Sequence, residues 1–350
     1  MAYHKTIFRQ MLQLISRLEF QSIVNHYQGD FRSRKLRCWD QFIHLLFAQL
    51  SHRDSLRDTI EATQSHHHKL YHLGCSTVSR STLSDANSKR TYQIYEALFY
   101  RLLKRVQDLA PTYKLKLSKK LFIIDSTTID LCLQLFPWAR FRKAKAAVKI
   151  HTVMQADGAL PVFLNITEGA VHDSRAAKSL SVPPGSFIVF DRGYHDFAQY
   201  KYYKINKIRF VTRLKTNAKY QIIRTKTVKK NTGVIADEII EFTGVNTRKK
   251  YPHPLRKVTY IDTETNKKLV FLTNELRLAA ATIAAIYKAR WEIELFFKTV
   301  KQNLKIKRFM GTSRNAVLTQ IWIALIAYLL VSYYKFSQKT TYSIQQLFRL

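Results

Sequence analysis

The stretch KKLFIIDSTTIDLCL, residues 119–133, decides how this chain folds. Its apolar, β-branched run at 121–124 predicts a buried β-strand, and Asp125 follows directly. A second apolar run, FIVF at 187–190, predicts another buried strand, which is followed by Asp191 in the same way. A carboxylate left unpaired at the end of a buried strand costs desolvation free energy. Carboxylates that end neighbouring strands can offset that cost by sharing a cation.

An ion pair is an equally simple explanation for either aspartate alone. Asp191 has Arg192 beside it, and a chain so rich in Lys and Arg offers Asp125 many partners. The sequence around the two strands therefore leaves both interpretations open, and the choice depends on whether a third acid joins them.

The third acid, Glu294, lies in the segment 276–306, whose apolar periodicity predicts one long helix. Tyr287, Arg290, Glu294 and Lys301 follow one another at helical spacing, so we expect them to share a face. Such a face suits a DNA backbone near a metal: the cations and the phenol bind phosphate oxygens, and the Glu completes the metal shell. The alternative is a solvated face on which Arg290 and Glu294 form an i,i+4 pair.

The charge of the whole chain points to a polyanionic partner. Lys and Arg number 58 against 24 Asp and Glu among 350 residues, a formal net charge of +34. Self-repulsion at that charge is offset when a polyanion binds, and nucleic acid is the first candidate. An anionic membrane surface is the alternative that charge alone does not exclude. Three scattered cysteines, Cys38, Cys75 and Cys132, argue against a disulfide framework or a zinc site and favour a cytoplasmic location.

The hydrophobic pattern divides the chain into five parts. Residues 1–112 read as helical, either a DNA-binding head or a bundle that packs on the rest. Strands and helices alternate in 113–214, including a hairpin turned at Asp157-Gly158, which predicts a mixed α/β sheet. Residues 215–275 read as an all-β insertion, 276–310 as the helix that carries Glu294, and 311–350 as a C-terminal helical region. The apolar run 317–334 approaches membrane-spanning length, and its polar residues favour a buried core helix.

Three blocks of this chain resemble bacterial DDE transposases, specifically the family of insertion sequence four. The block Asp125-Ser126-Thr127-Thr128 is similar to the one around that family's first catalytic aspartate, and Asp191-Arg192-Gly193-Tyr194 to the one around the second. The spacing Tyr287-x2-Arg290-x3-Glu294-x6-Lys301 matches its Y-R-E-K signature. The resemblance covers residues 119–310 and, less closely, the helical N-terminal region.

The resemblance implies a ribonuclease-H-like core and phosphoryl transfer at transposon ends, followed by strand transfer. Asp125, Asp191 and Glu294 would ligate two Mg²⁺ ions, with Mn²⁺ as a substitute, and no protein nucleophile is needed. Tyr287, Arg290 and Lys301 would grip DNA phosphates near the cleaved bond. The expected partners are transposon-end and target DNA and a second copy of the chain in a synaptic dimer, with no membrane, in the bacterial cytoplasm at the nucleoid.

Several other residues are weaker candidates. An aromatic residue of the insertion would stabilise a flipped base, and Tyr251 or Tyr260 are the guesses. His172-Asp173 is expected to begin a short helix as a cap or local pair, or else to lie near the metals, and His195 could touch substrate. Ser343 is expected to cap a last helix that contains Leu350, short enough to suggest a truncated dimerisation region.

Two other functions remain compatible with the same residues. The first is a ribonuclease-H-like, metal-dependent nuclease that cuts DNA without strand transfer. The second is an inactive DNA-binding remnant of a mobile element. The Y-R-E-K helix and the large insertion favour the transposase.

Overall fold

The computed structural model describes residues 6–115, 117–142, 145–171, 173, 182–304, 306 and 308–349. The helices are α1 (Ile7–Leu12), α2 (Arg17–His26), α3 (Cys38–Leu50), α4 (Leu56–Ser65), α5 (His67–Leu70), α6 (Arg80–Lys89), α7 (Gln93–Gln107), α8 (Phe197–Ile205), α9 (Val245–Lys250), α10 (Ala280–Lys288), α11 (Trp291–Asn303), α12 (Arg314–Ser337) and α13 (Ile344–Leu347). The strands are β1 (Leu121–Leu131), β2 (Arg140–Arg142), β3 (Lys145–Gln155), β4 (Leu160–Glu168), β5 (Phe187–Phe190), β6 (Arg209–Arg213), β7 (Tyr220–Thr225), β8 (Val234–Phe242), β9 (Leu255–Ile261) and β10 (Lys268–Thr273).

One mixed sheet runs through the molecule. Strand β3 pairs antiparallel with β1 on one side and with β2 and β4 on the other. Strands β5 and β6 lie parallel to β1, in the order β4-β3-β1-β5-β6. Three antiparallel strands followed by two parallel ones form the ribonuclease-H-like core that was expected. The hairpin between β3 and β4 turns where the sequence predicts, at Gly158 with a φ of 66°.

The insertion extends this sheet, but it is not all-β as expected, because helix α9 lies between β8 and β9. Strand β10 pairs antiparallel with β6, and β9, β8 and β7 continue outward from it. A fully buried ion pair fastens this part, because Arg256 of β9 donates two hydrogen bonds of 2.7 Å to Asp237 of β8. The strands of the insertion therefore continue the sheet from β6, the strand that follows Asp191.

Helix α12 is the centre of the helical layer. Within the described residues it is the helix whose length and apolar composition would let it cross a membrane, and 94% of its most apolar window is buried in the protein. Trp322 packs against Phe99 of α7 with ring centroids 5.3 Å apart, and Tyr328 against Phe296 of α11 at 5.0 Å. The N-terminal helices therefore share a core with the catalytic half of the chain.

The prediction of one long helix over 276–306 was wrong, because the helix is broken between α10 and α11. The amide of Arg290 donates to the Tyr287 carbonyl and that of Ile293 to the Arg290 carbonyl, so i→i+3 hydrogen bonds tighten this turn. No Pro or Gly marks the break, and hydrophobic periodicity does not detect it. Tyr287 and Glu294 accordingly belong to different helices.

The sequence predicts helix caps at Ser343 and at His172-Asp173. Ser343 does cap α13, because its side chain accepts a hydrogen bond from the amide of Gln346. Leu350, expected in the same helix, and His172 with most of the helix expected after it lie outside the described residues.

Candidate active site

The strand register brings Asp125 and Asp191 side by side. Strands β1 and β5 are parallel, and their pairing runs from Leu121 opposite Phe187 to Ile124 opposite Phe190. The next residue on each strand is the aspartate. Neighbouring strands lie about 4.8 Å apart, and residues in register on parallel strands point to the same face. Two carboxylates from positions 66 residues apart in the sequence therefore lie next to each other.

Arg290 connects this strand end to Glu294. Its guanidinium donates to Oδ2 of Asp125 at 3.1 Å and also to Oε1 of Glu294. The three side chains are partly buried, with exposures of 20% for Arg290, 19% for Asp125 and 35% for Glu294. The i,i+4 pair that was the alternative explanation of this helix face is present, and it extends to Asp125.

The electrostatics of Asp125 show crowded negative charge. Burial raises the pKa of Asp125 to about 6, the Ser126 amide and Arg290 oppose the rise, and Asp191 and Glu294 add to it. Asp191 also faces the phenol of Tyr287 closely enough to help raise that group's pKa, although burial is the larger cause. The three acids thus act on one another at this end of the sheet.

The donor chemistry suits a divalent cation of the magnesium type, since such ions prefer carboxylate oxygens. A buried carboxyl with a raised pKa is also a group whose ionised form a cation would stabilise. Across the part of the chain that the structure describes, however, no three Asp, Glu, His or Cys side chains are arranged to hold one metal ion together. The guanidinium of Arg290 lies between two of the acids, so metal binding requires it to move.

The two remaining residues of the Y-R-E-K pattern differ in accessibility. Tyr287 is 8% exposed, because its ring packs on Phe271 of β10 with centroids 4.9 Å apart. Arg290 lies over the same ring, 5.9 Å from its centroid. Lys301 is in the last turn of α11 and is partly exposed. The break before α11 places Tyr287 on a different helix from Glu294 and Lys301, but Arg290 at the break contacts both the Tyr287 ring and the Glu294 carboxylate.

The guesses for a base-stacking aromatic are not supported by the structure. Tyr251 is 2% exposed and packs edge-on against Tyr200, and Tyr260 is 8% exposed beside Phe271. Neither ring face is free for a base, because both tyrosines fill the core of the insertion. Sequence patterns do not separate such a core tyrosine from an exposed one.

His195 lies near Asp191 without a free ring nitrogen pointing at it. Its Nε2 hydrogen-bonds the carbonyl of Arg213 at 2.8 Å. Burial lowers the pKa of His195 to about 4, so the ring is neutral at physiological pH. We infer that it supports the turn after Asp191 rather than transferring protons.

The sequence leaves Asp173 between a local cap or pair and a place near the metals, and it does not indicate the residues that Asp173 contacts. Its carboxylate contacts Ser126, Lys149 and His151, all distant in sequence. A signal was available: Lys149 and His151 are two polar residues at i and i+2 on the otherwise apolar strand β3, which places both on one face. A buried polar pair of this kind needs a partner.

Comparisons with known proteins agree with this geometry. Residues 116–330 match the family model described as a transposase DDE domain, and residues 3–76 match a domain family of unknown function. A protein named transposase y4zB of Sinorhizobium fredii is 32% identical over 253 residues, 71% of this chain and 69% of the relative. The protein named transposase for insertion sequence element IS5377 of Geobacillus stearothermophilus is 26% identical over 332 residues, 94% of this chain and 84% of the relative. The one named for element IS4SA of Synechocystis is 28% identical over 269 residues, 75% and 74% of the two chains.

A solved structure shares the fold at low sequence identity. The piggyBac transposase, in a cryo-EM synaptic complex with hairpin DNA, superposes with a TM-score of 0.51 and 13% identity. The match covers 99% of this chain and 79% of that one. At this identity the likeness concerns the arrangement of strands and helices alone.

Proposed function

Since this chain belongs to the family of transposases with a DDE domain, we propose that Asp125, Asp191 and Glu294 hold the divalent ions with which it cuts and joins DNA. The chain is a DNA transposase. The identity of its metal-binding residues and the metal-dependent chemistry are what we propose. The two-ion arrangement with Mg²⁺, or Mn²⁺ in its place, is part of the proposal and rests on the resemblance to DDE transposases. Membership in the insertion sequence four family stays a prediction.

One observation carries the proposal: Arg290 pairs at the same time with Asp125 and Glu294, which are 169 residues apart, beside the strand that ends at Asp191. Acids are scarce in this chain, at 24 against 58 basic residues. Three of them meeting beside two neighbouring strands with buried segments is costly unless the site binds a cation. Arg290 supplies one positive charge, and divalent ions would supply more.

The bound ions would activate the attacking oxygen, first of water and later of a 3′-hydroxyl, and stabilise the leaving oxygen. The protein would position the reacting groups and keep competing charges away from them. Arg290 can exchange its carboxylate partners for a DNA phosphate, because a guanidinium binds both with the same planar geometry. Lys301 on the last turn of α11 would contact the backbone further along, and Tyr287 would hold Arg290 through its ring. No side chain has to act as nucleophile.

The domain roles are part of the proposal. Residues 1–112 would bind transposon-end DNA, 113–214 with 276–310 would form the catalytic core, 215–275 the β-rich insertion, and 311–350 a region that supports a synaptic homodimer. One family match ends at residue 76 and the other begins at residue 116, which supports a boundary between these two positions. The net charge of +34 supports binding to DNA at the nucleoid in the cytoplasm.

The test is cleavage and joining of a labelled duplex that carries the DNA flanking the gene, with Mg²⁺ and a target plasmid. We expect the wild type to cut at the element's end and join it to the plasmid. Asp125→Ala, Asp191→Ala and Glu294→Gln should each lose at least about a thousandfold in rate, since each removes a group that stabilises the transition state.

Two acids provide matched controls. Asp130 is exposed on the same strand as Asp125, and Glu292 lies two residues before Glu294 on another face of α11. Asp130→Ala and Glu292→Gln should keep wild-type rates. Cutting without joining would support the nuclease. Equal activity of the three site variants and the wild type would contradict the proposed site.

A further inference from the structure

A fourth carboxylate, Asp173, lies at the centre of a polar cluster behind the proposed site. Its Oδ1 accepts hydrogen bonds of 2.7 Å from the Ser126 hydroxyl and 2.7 Å from the Lys149 ammonium, and Nδ1 of His151 is 3.5 Å away. Burial disfavours the charged form of Asp173, but the bonds from His151, Lys149 and Ser126 outweigh it and hold its pKa well below the usual range. The carboxylate is thus a fixed negative charge that orders three neighbours.

The cluster lies on the face of β1 opposite to Asp125. In the β1–β3 register Ser126 stands opposite His151, and Thr128 opposite Lys149. Successive residues of a strand point to opposite faces, so Asp125 faces Arg290 while Ser126 faces Asp173. Ser126 belongs to both sides, because its amide donates to Oδ1 of Asp125 at 2.8 Å.

Asp173 also touches the turn that follows Asp191. A Cβ placed on Gly193 would lie 3.5 Å from Oδ2 of Asp173, so the backbone of the turn Arg192–Tyr194 passes directly over the carboxylate. Tyr194 is 5% exposed, and burial raises the pKa of its phenol, with Asp173 and Asp125 among the further causes. Ser126, which follows Asp125, is thus hydrogen-bonded to Asp173, and the turn that follows Asp191 lies close to the same carboxylate.

We propose that Asp173 is a positioning residue: by binding Ser126 and supporting the turn after Asp191, it fixes the distance between Asp125 and Asp191. The inference rests on the proposed function, because the distance matters only if the two acids share cations. Asp173 itself is not a ligand in this assignment, since its contacted oxygen is engaged by Ser126 and by the ammonium of Lys149. Groups that orient metal ligands in this way influence affinity by about 10- to 100-fold.

The test measures Mn²⁺ binding to the whole protein by the electron paramagnetic resonance signal of free Mn²⁺. Asp173→Asn should weaken Mn²⁺ binding by about 10- to 100-fold, because the neutral amide holds Ser126 and Lys149 less firmly. Asp130→Asn is the matched control: it removes the same charge from an exposed position on β1, and it should bind Mn²⁺ like the wild type. DNA affinity in EDTA should be the same for all of these proteins.

The Ser126 pair of variants keeps the inference testable if Asp173→Asn does not fold. Ser126→Ala removes the hydroxyl that Asp173 binds and should weaken Mn²⁺ binding by about tenfold. Ser126→Thr keeps the hydroxyl and suits a strand, so it should restore wild-type affinity. If the Ser126 hydroxyl had a purely structural role, Ser126→Ala would lower the unfolding temperature. Ser126→Thr would then not show this recovery of metal affinity.

The outcomes separate the inference from the proposed function. If Asp125→Ala binds Mn²⁺ as well as the wild type, the proposed site is wrong. If Asp125→Ala loses binding while Asp173→Asn and Ser126→Ala keep wild-type affinity, the site stands and the role of Asp173 is overturned. Equal weakening in Ser126→Ala and Ser126→Thr would also overturn it, because the hydroxyl would then be irrelevant.

Discussion

Asp125→Asn should make the metal-free protein more stable at neutral pH while abolishing its activity. Asn keeps the shape of the side chain and the acceptor for the Ser126 amide, but it does not ionise. The folded environment disfavours ionisation of this carboxyl, mainly through burial, and raises its pKa from 3.8 to about 6. The substitution therefore removes an electrostatic cost that the wild type carries whenever Asp125 is charged.

The magnitude follows from the pKa difference. A rise from 3.8 to about 6 corresponds to about 3 kcal/mol at about 1.4 kcal/mol per pH unit. The folded state binds the proton more tightly than the unfolded chain, so the contribution is favourable below pH 3.8 and is lost as pH rises through 6. Above pH 6 the wild type carries the full cost. Asp125→Asn should then be more stable by up to about 3 kcal/mol at pH 8, with no difference below pH 4.

Chemical denaturation in EDTA at pH 4, 5, 6, 7 and 8 measures this directly. The stability difference between Asp125→Asn and the wild type should grow between pH 4 and 6 and stay constant above. Asp130→Asn, exposed on the same strand, should show no such dependence. Saturating Mn²⁺ should stabilise the wild type and Asp130→Asn, by about 2.7 kcal/mol at one hundred times the dissociation constant, but not Asp125→Asn. A variant that is less stable than the wild type at pH 8 in EDTA would refute this reasoning.

Further predictions concern the ion pairs and the core. Without DNA, Arg290→Gln should bind Mn²⁺ more tightly than the wild type, because the competing guanidinium is gone, and it should cleave DNA more slowly. Weaker Mn²⁺ binding by this variant in a titration would contradict the exchange of partners. Asp237→Asn should destabilise the protein by about 3–5 kcal/mol, because it leaves Arg256 charged and fully buried. As a control, Asp85→Asn breaks the exposed Lys89–Asp85 pair and should leave the denaturation midpoint unchanged. Trp322→Ala should cost about 3–5 kcal/mol by the same assay, since it empties the contact with α7.

The sequence was most informative where the chemistry is local. An apolar run that ends in an acid predicts a buried strand with a carboxylate at its end. Asp191 follows β5 in that way, whereas Asp125 lies within β1, which continues to Leu131. The strands of the insertion were predictable for the same reason, since period-2 patterns survive in half-buried strands. What periodicity missed was the change of hydrogen bonding at Arg290, because apolar positions on both sides of the break keep a helical spacing.

The cluster around Asp173 was not predictable for a different reason. Ser126 and Asp173 are 47 residues apart, and their contact depends on how the segment after β4 returns to the sheet. The local pattern around His172-Asp173 indicates a helix cap, a pair with a neighbour or a place near the metals, but none of these contacts. Lys149 and His151 carried the better signal, because two polar side chains on one face of a buried strand require a buried partner.

Arg290 reconciles the two explanations that the sequence left open for its helix face. Its pairing with Glu294 is the simple i,i+4 ion pair, but its second contact with Asp125 shows that the pair serves a larger cluster of negative charge. Burial leaves these carboxylates partly desolvated, so their negative charge needs compensation. Either a guanidinium or a divalent cation can provide it. The side chains are 19–35% exposed, so this ion pair is weak enough to exchange. A DNA phosphate entering beside bound cations would offer Arg290 an equivalent partner, so that the apo ion pair and the proposed metal site are two states of one set of residues.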